Sequence, residues 1–193
     1  MIKTICNTKA LKDFLYWDFE DAGVRIDVDP KLEKDEYVGI KVDDYYHRKN
    51  AVKPIPKAVD FLISVDCSSD AYVLYIIELK GNKKRDSFTA EDIQEKFETT
   101  IEDFMKREYA DIYCNDRYRY KDVLLYLVST RFLERARKLG IDHYKDYVAL
   151  RNKISGNDTV NLDVGLSGKL YNFRGRVLKI ERELPPYPIV RKM

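Results

Sequence analysis

Three side chains in this sequence are placed to act together on a phosphate or a similar anionic group: Asp60, Glu78 and Lys80. They lie in Lys57-Ala-Val-Asp60-Phe-Leu-Ile-Ser-Val and Tyr72-Val-Leu-Tyr-Ile-Ile-Glu78-Leu-Lys80-Gly81, two runs rich in β-branched and aromatic residues around Cys67-Ser-Ser-Asp70. That pattern predicts a β-hairpin. Folding it about Ser69 sets Asp60 opposite Glu78, and directly opposed side chains have Cβ atoms roughly 5 Å apart. Lys80, two residues beyond Glu78, shares its face. Two acids and a lysine at the open end of a hairpin pack poorly as core. They suit a hard divalent cation and an attacking water.

Asp29-Pro30-Lys31 carries a similar short pattern, but Pro30 cannot donate to a strand ladder, so it has no hairpin context. Asp60 on a first strand, with Glu78-Leu79-Lys80 ending a second, resembles the PD-(D/E)xK nuclease superfamily, the restriction-endonuclease-like phosphodiesterases. Val59 stands where the family pattern writes proline, and Pro56 lies three residues before it. The resemblance implies that Asp60 and Glu78 ligate Mg²⁺ or Mn²⁺ with the main-chain carbonyl of Leu79. It also implies that Lys80 orients or deprotonates the water. Several branches of that superfamily support the site with a glutamine on the following helix, a position Gln94 resembles. Some place a glutamate on the first helix, where Glu20 is the one available. Lys57 is a further candidate, for contact with the scissile-strand phosphate.

Nucleic acid would be met by cations. Lys83, Lys84 and Arg85 follow the second strand at once, and Arg117-Tyr118-Arg119-Tyr120-Lys121 interleaves cations with aromatic rings. Such cations contact phosphates while tyrosines bond the backbone or stack on unpaired bases. Arg131, Arg135, Arg137, Lys138, Arg174 and Arg176 add positive charge further along.

Composition narrows the classes. The 193 residues are 45% hydrophobic and 12% aromatic, a composition that can bury a core rather than stay disordered. The net charge of +2 excludes a general polyanion sponge but permits local basic faces. No G-x-x-x-x-G-K-[ST] or G-x-G-x-x-G loop is present, which argues against nucleotide-driven motors and dehydrogenases. His47 and His143 are far apart, so a histidine zinc site or an HNH-type nuclease has little to work with. Cys6, Cys67 and Cys114 are odd in number and scattered, and suggest no disulfide framework. No apolar run approaches the ~20 residues that span a bilayer, and Met1-Ile-Lys-Thr-Ile-Cys6 lacks a signal-peptide stretch. The expectation is a cytoplasmic protein with no membrane partner.

The elements that must position the site can be read from periodicity. Asn7 or Thr8 is expected to cap a first helix with the stripe Leu11, Phe14, Leu15 and Phe19, ended by Gly23. Residues 27–35 read as a loop, Tyr37–Val42 as a strand, and 43–56 as a polar connection before the hairpin. Thr89 caps a long helix with Asp92 three residues on, and Ile93, Phe97, Ile101, Phe104 and Met105 form its apolar stripe. Residues 121–129, around Val123-Leu-Leu-Tyr-Leu-Val128, read as a doubly buried central strand. Shorter helices are expected around 132–150, then terminal strands through Val164, Leu170–Phe173 and Val177–Ile180. Pro185-Pro186-Tyr-Pro188 reads as extended chain.

The expected fold class is α/β: a restriction-endonuclease-like core of order αβββαβ, its mixed central sheet flanked by helices. A single nuclease-like domain would fill 1–193, with the core over about 8–130 and a C-terminal extension, of unassigned role, over about 131–193. The expected function is metal-dependent hydrolysis of phosphodiester bonds, in DNA before RNA, with a defence, restriction or DNA-processing role. Cutting both strands of a duplex takes two active sites, which a homodimer would supply. The alternative is a catalytically inactive module of the same fold that binds nucleic acid or a protein partner.

Overall fold

The hairpin forms in the expected register. Strand β5 (Phe61–Asp66) pairs antiparallel with β6 (Ala71–Lys80), from Phe61 opposite Ile77 to Asp66 opposite Tyr72. The next step outward sets Asp60 opposite Glu78. A computed structural model describes residues 1–49, 54–81, 89–130, 140, 146, 166 and 168–191.

In chain order the earlier elements are helix α1 (Ile2–Asn7), a 3₁₀ stretch (Lys9–Phe14), β1 (Leu15–Tyr16), β2 (Phe19–Asp21), β3 (Val24–Val28), β4 (Tyr37–Lys41) and α2 (Val42–Lys49). After the hairpin come α3 (Ala90–Glu98), a continuation of wider, π-type turns (Thr99–Glu108), α4 (Ala110–Tyr113), β7 (Arg119–Ser129), β8 (Tyr171–Phe173), β9 (Arg176–Leu178), β10 (Ile180–Glu183) and β11 (Tyr187–Ile189). The fold is α/β. Its central sheet is mixed, in the order β1-β4-β5-β6-β7-β10: β4, β5 and β6 are antiparallel, while β7 runs parallel to both β6 and β10.

Period-2 alternation divides the sheet's side chains between two cores. Leu62, Leu74 and Ile76 pack with the helices, against Ile5, Phe97, Ile101 and Phe104. Ile63, Val73, Tyr75 and Ile77 face the other way, toward Phe19, Val24, Ile26 and Ile189 of a small sheet ordered β11-β3-β2. Buried on both faces, β6 and the second half of β7 need the unbroken apolar runs that they have. The expected stripe of α3 and its continuation is fully buried, and Thr89 and Asp92 make a reciprocal capping box.

The amino-terminal region differs from expectation. Leu11 and Phe14 are buried as expected, but on a 3₁₀ stretch, and the chain then turns into strands rather than continuing as a helix to Phe19. Phe19, Val24 and Ile26 alternate, which is the strand period, and Ala22-Gly23 forms the two-residue turn between β2 and β3 with φ of 49° and 74°. Positive φ at both central residues gives the twist that suits a tight hairpin. Gly23 is thus a hairpin turn, not a helix end. The expected loop at 27–35 begins inside β3, and the expected polar connection after Val42 opens with α2. The described C-terminal strands join the fold: β10 edges the main sheet beside β7, and β11 pairs with β3. Apart from Gly140 and Asp146, the residues of the helices expected at 132–150, and Val164, lie outside the described residues.

Two glycines let the β2–β3 hairpin lie down on the main sheet. A Cβ on Gly39 would stand 2.2 Å from Cε1 of the buried Phe19, and one on Gly81 would stand 1.9 Å from the Ala22 carbonyl oxygen. Neither neighbour can swing aside, since one ring is in the core and the other atom is backbone. Gly39→Ala and Gly81→Ala are each expected to cost about 1–3 kcal/mol by overpacking, as read from chemical denaturation. An unchanged midpoint for both would contradict this docking.

Candidate functional site

The site lies where the open end of the β5–β6 hairpin meets three other elements. Asp60 ends the turn-in to β5, and its neighbours are set by backbone bonds that extend the β4–β5 pairing into α2. The Val42 amide donates to the Asp60 carbonyl and the Asp43 amide to the Val59 carbonyl, each at 3.2 Å. Asp43, in the first turn of α2, is thereby held beside Asp60. Asp21 arrives from the opposite face of the sheet, at the base of the Ala22-Gly23 turn. One ligand oxygen each from Asp21, Asp43 and Asp60 lies within 4.8 Å of the others.

Asp60 is 5% exposed and Glu78 is fully buried. The Leu79 amide donates to Asp60 Oδ2 at 2.6 Å, so the strand carrying Glu78 also orients Asp60. Glu78 Oε1 accepts from Lys96 Nζ at 2.6 Å and is also in contact with Lys80 Nζ. Its other oxygen, Oε2, has no hydrogen-bond partner among the described residues, and neither has the buried Oδ1 of Asp43. A buried carboxylate oxygen without a donor costs free energy. A hard cation would meet that need. The donor set, carboxylate oxygens alone, fits Mg²⁺, Mn²⁺ or Ca²⁺ and suits soft metals poorly.

Burial pushes the Asp60 carboxyl well above the usual carboxylate range, and nearby Glu78 pushes it further. Asp43 is pushed up to about 6, again by burial first, with Asp44 and Asp21 adding to it and Lys41 opposing. Lys41 Nζ bonds Asp21 Oδ2 at 2.7 Å. Burial opposes the charge on Lys96, but Glu78 and Asp60 together hold its ammonium above the ordinary value.

Helix α3 and its continuation position both strand ends. Thr100, one turn after Lys96, accepts from the Val59 amide at 3.2 Å and donates to the Lys96 carbonyl at 2.9 Å. Gln94, the expected helical contributor, lies two residues before Lys96, about 200° around the helix. Its main-chain carbonyl accepts from the Tyr171 hydroxyl at 3.3 Å. Lys57 is paired with Asp92 and Glu95 at 2.8 Å each, and so ties the chain before β5 to the first two turns of α3. Glu20 is on a strand rather than a helix and is exposed. Asp21, one residue on and on the alternate face, is the acid that joins the site.

The expected nucleic-acid contacts separate. Lys83, Lys84 and Arg85, like Arg131, Arg135, Arg137 and Lys138, lie outside the described residues. Arg117 and Arg119 are at the far end of the sheet: β6 and β7 run parallel, with Ala71 beside Arg119 and Lys80 beside Ser129. At ~3.3 Å per residue the two ends are roughly 30 Å apart. Arg119 there donates to the Ser69 carbonyl, and Arg174 and Arg176 bond carbonyls of Asn115, Tyr118, Tyr120 and Lys121. These arginines brace the turn end of the sheet.

Asp21, Asp43, Lys96 and Thr100 were not among the residues singled out by the sequence. Asp21 was legible in principle, through the Ala-Gly dipeptide between two alternating stretches. Asp43 and Lys96 carried no such signal, because both reach the site through pairings distant in sequence. Among the described residues, no helix is long and apolar enough to cross a membrane. Compared with protein-family models, curated proteins and solved structures, the chain matches none.

Two outcomes follow from the electrostatics. Asp43 titrates higher folded than unfolded, so between about pH 4 and 6 the folded state binds the extra proton and stability falls as pH rises. In EDTA at pH 8, Asp43→Asn is expected to be more stable than wild type by on the order of 1 kcal/mol, an advantage that fades toward pH 4. Melting curves of both proteins across that range check it. Lys96→Met leaves buried Glu78 with Lys80 alone and is expected to cost about 3 kcal/mol in urea unfolding.

Proposed function

We propose that the protein is a cation-dependent phosphodiesterase of restriction-endonuclease-like fold that hydrolyses nucleic acid, DNA in preference to RNA. The observation that carries this reading is the buried pair Asp60 and Glu78, opposed across a hairpin end with Lys80 on the same face. Nothing about folding requires two carboxylates to be taken out of water side by side. With β1–β3 and α2 set aside as insertions, α1, β4, β5, β6, α3 and β7 follow the helix, strand, strand, strand, helix, strand order that the resemblance to the PD-(D/E)xK superfamily implies. Asp60 and Glu78 would hold Mg²⁺ or Mn²⁺, with the Leu79 carbonyl completing the set as the resemblance implies. When bound, the cation lowers the pKa of water and neutralises charge on the phosphate.

The chain's own residues do the rest. Lys80 reaches Glu78 from the end of β6 and Lys96 reaches it from the helix layer, and the substrate phosphate is assigned to Lys80, as the resemblance implies. Lys80 would leave Glu78 for the attacking water and for the charge that builds on phosphorus, while Lys96 continues to neutralise Glu78. The Leu79 amide keeps one Asp60 oxygen engaged and so fixes the direction in which the other is offered. Preorganised charges of this kind stabilise a transition state without reorganising during it.

A second reading has one observation in its favour: the two lysines on Glu78 make a compensated cluster, which an inactive nucleic-acid-binding or protein-binding module could also keep.

Incubation with supercoiled, linear and single-stranded DNA, and with RNA, in Mg²⁺ or in EDTA decides between them. Cleavage is expected with Mg²⁺ and not with EDTA. Asp60→Asn, Glu78→Gln and Lys80→Ala are each expected to lower the rate by about 100-fold or more. Cleavage that survives EDTA or all three substitutions overturns the reading. Substrate retained on the protein but never cut favours the inactive module.

A further inference from the structure

We infer that Lys96 is a positioning residue for Glu78: it keeps hold of Oε1 when a cation is taken at Oε2, and so lets Lys80 be released. The inference deepens the phosphodiesterase reading and rests on it for the role of the released lysine, though not for the release itself.

Two ammonium groups share one oxygen at this hairpin end. Lys96 Nζ donates to Glu78 Oε1 at 2.6 Å, and Lys80 Nζ is in contact with the same atom. A carboxylate oxygen offers two lone pairs, so Oε1 is filled. Oε2 belongs to a side chain with no exposed surface and has no hydrogen-bond partner among the described residues. The unused acceptor capacity of Glu78 is therefore at Oε2, the oxygen left for a cation. Ionised, Asp60 and Glu78 balance Lys80 and Lys96, and a dication added beside them leaves positive charge in excess. Two nitrogens within reach of one oxygen are roughly 5 Å apart at most. Like charges that close, shielded from bulk water, repel strongly, and the more loosely held ammonium is the one to leave.

The two lysines are mounted differently. Lys96 lies on the face of the helix that carries Ile93, Phe97 and Thr100, all fully buried. Its carbonyl accepts from the Thr100 hydroxyl at 2.9 Å, and Thr100 accepts from the Val59 amide at 3.2 Å. The turn that delivers Lys96 to Glu78 thus also grips the residue before Asp60, and one element sets the spacing of both carboxylate-bearing strand ends. The ion pairs of Lys57 with Asp92 and Glu95 fasten the preceding turns of α3 to the same stretch of chain. Lys80 has no such bracket. It is the last residue of β6, and its ammonium comes off Glu78 by rotation about the bonds of its own side chain. With Lys96 still in place, that departure does not leave buried Glu78 without an ammonium.

The test is proton–nitrogen correlation NMR of the lysine ammonium groups in the full chain, in EDTA and in saturating Mg²⁺, with signals assigned along each side chain. In EDTA, Lys80 and Lys96 are both expected to give ammonium signals, being ion-paired and protected from exchange. Mg²⁺ is expected to abolish the Lys80 signal and to leave Lys96 protected. Signals that both persist unmoved, or loss of Lys96 instead of Lys80, overturn the inference, and this arm depends on no variant folding. At saturating Mg²⁺, Lys96→Met is expected to lower the cleavage rate per folded molecule by about tenfold or more, because Lys80 is then the one ammonium left on buried Glu78 and stays there. Half-saturating Mg²⁺ should be no higher than in wild type, since a neighbouring positive charge has gone. A lysine that served the fold alone would leave that rate unchanged. A wild-type rate, or a loss that more Mg²⁺ restores, overturns the inference. The two proposals fail separately. Release of Lys80 by Mg²⁺ with no cleavage of DNA or RNA by the wild type would leave the positioning role standing and remove the phosphodiesterase. Mg²⁺-dependent cleavage with both ammonium signals unmoved would do the reverse.

Discussion

Two carboxylates removed from water at facing ends of one hairpin create a demand that much of the surrounding structure answers. An ionised carboxylate in a protein interior costs several kcal/mol unless it is paired and hydrogen-bonded. Asp60 and Glu78 meet this demand unequally. Glu78 has two ammonium groups on a single oxygen, while Asp60 has the Leu79 amide and a raised affinity for a proton. The pair therefore depends on α3, which carries Lys96 to Glu78, and on its continuation, which carries Thr100 to the backbone before Asp60. Had α3 docked one turn along, both supports would be lost together.

The sheet is the reference frame for this arrangement. Because β6 and β7 are parallel and buried on both faces, the strand ends that carry Glu78 and Lys80 are fixed by the best-packed part of the core. The helix layer reaches the site from one face and the β2–β3 hairpin from the other. They meet only at the rim, where the strands end. A site built at that rim draws rigidity from strands and access from their termination, which is how functional groups are commonly mounted on α/β sheets.

Charge is distributed along the same axis. At the turn end of the sheet, arginines are spent on backbone carbonyls and on Asp116, holding β7, β8 and β9 together. At the site end, cations are held against carboxylates. The two sets have different partners, and of them only the Arg117–Lys121 stretch reads in the sequence as cations interleaved with tyrosines. Net charge near zero is consistent with this local pairing, because many of the described cations face an acid or a carbonyl.

What the sequence by itself determined was local. Alternation and the Cys67–Asp70 turn were enough to predict the hairpin register, because antiparallel partners are equidistant from their turn, and so Asp60 had to face Glu78. The capping box at Thr89 and Asp92 and the stripe from Ile93 to Met105 were likewise written in short-range spacing. Where local and tertiary preferences conflicted, reading failed: Leu11, Phe14 and Phe19 fit a helical stripe, but the Ala22-Gly23 turn and the cover needed over Gly39 drew Phe19 into a strand. Only the tertiary structure decided that Asp21, Asp43 and Lys96 converge on the hairpin end, and that Arg117 and Arg119 lie roughly 30 Å from it. The reason is physical. Register and periodicity are properties of neighbouring residues, whereas strand order and the direction of β7 are set by how whole layers bury their apolar faces, and no short spacing encodes that choice.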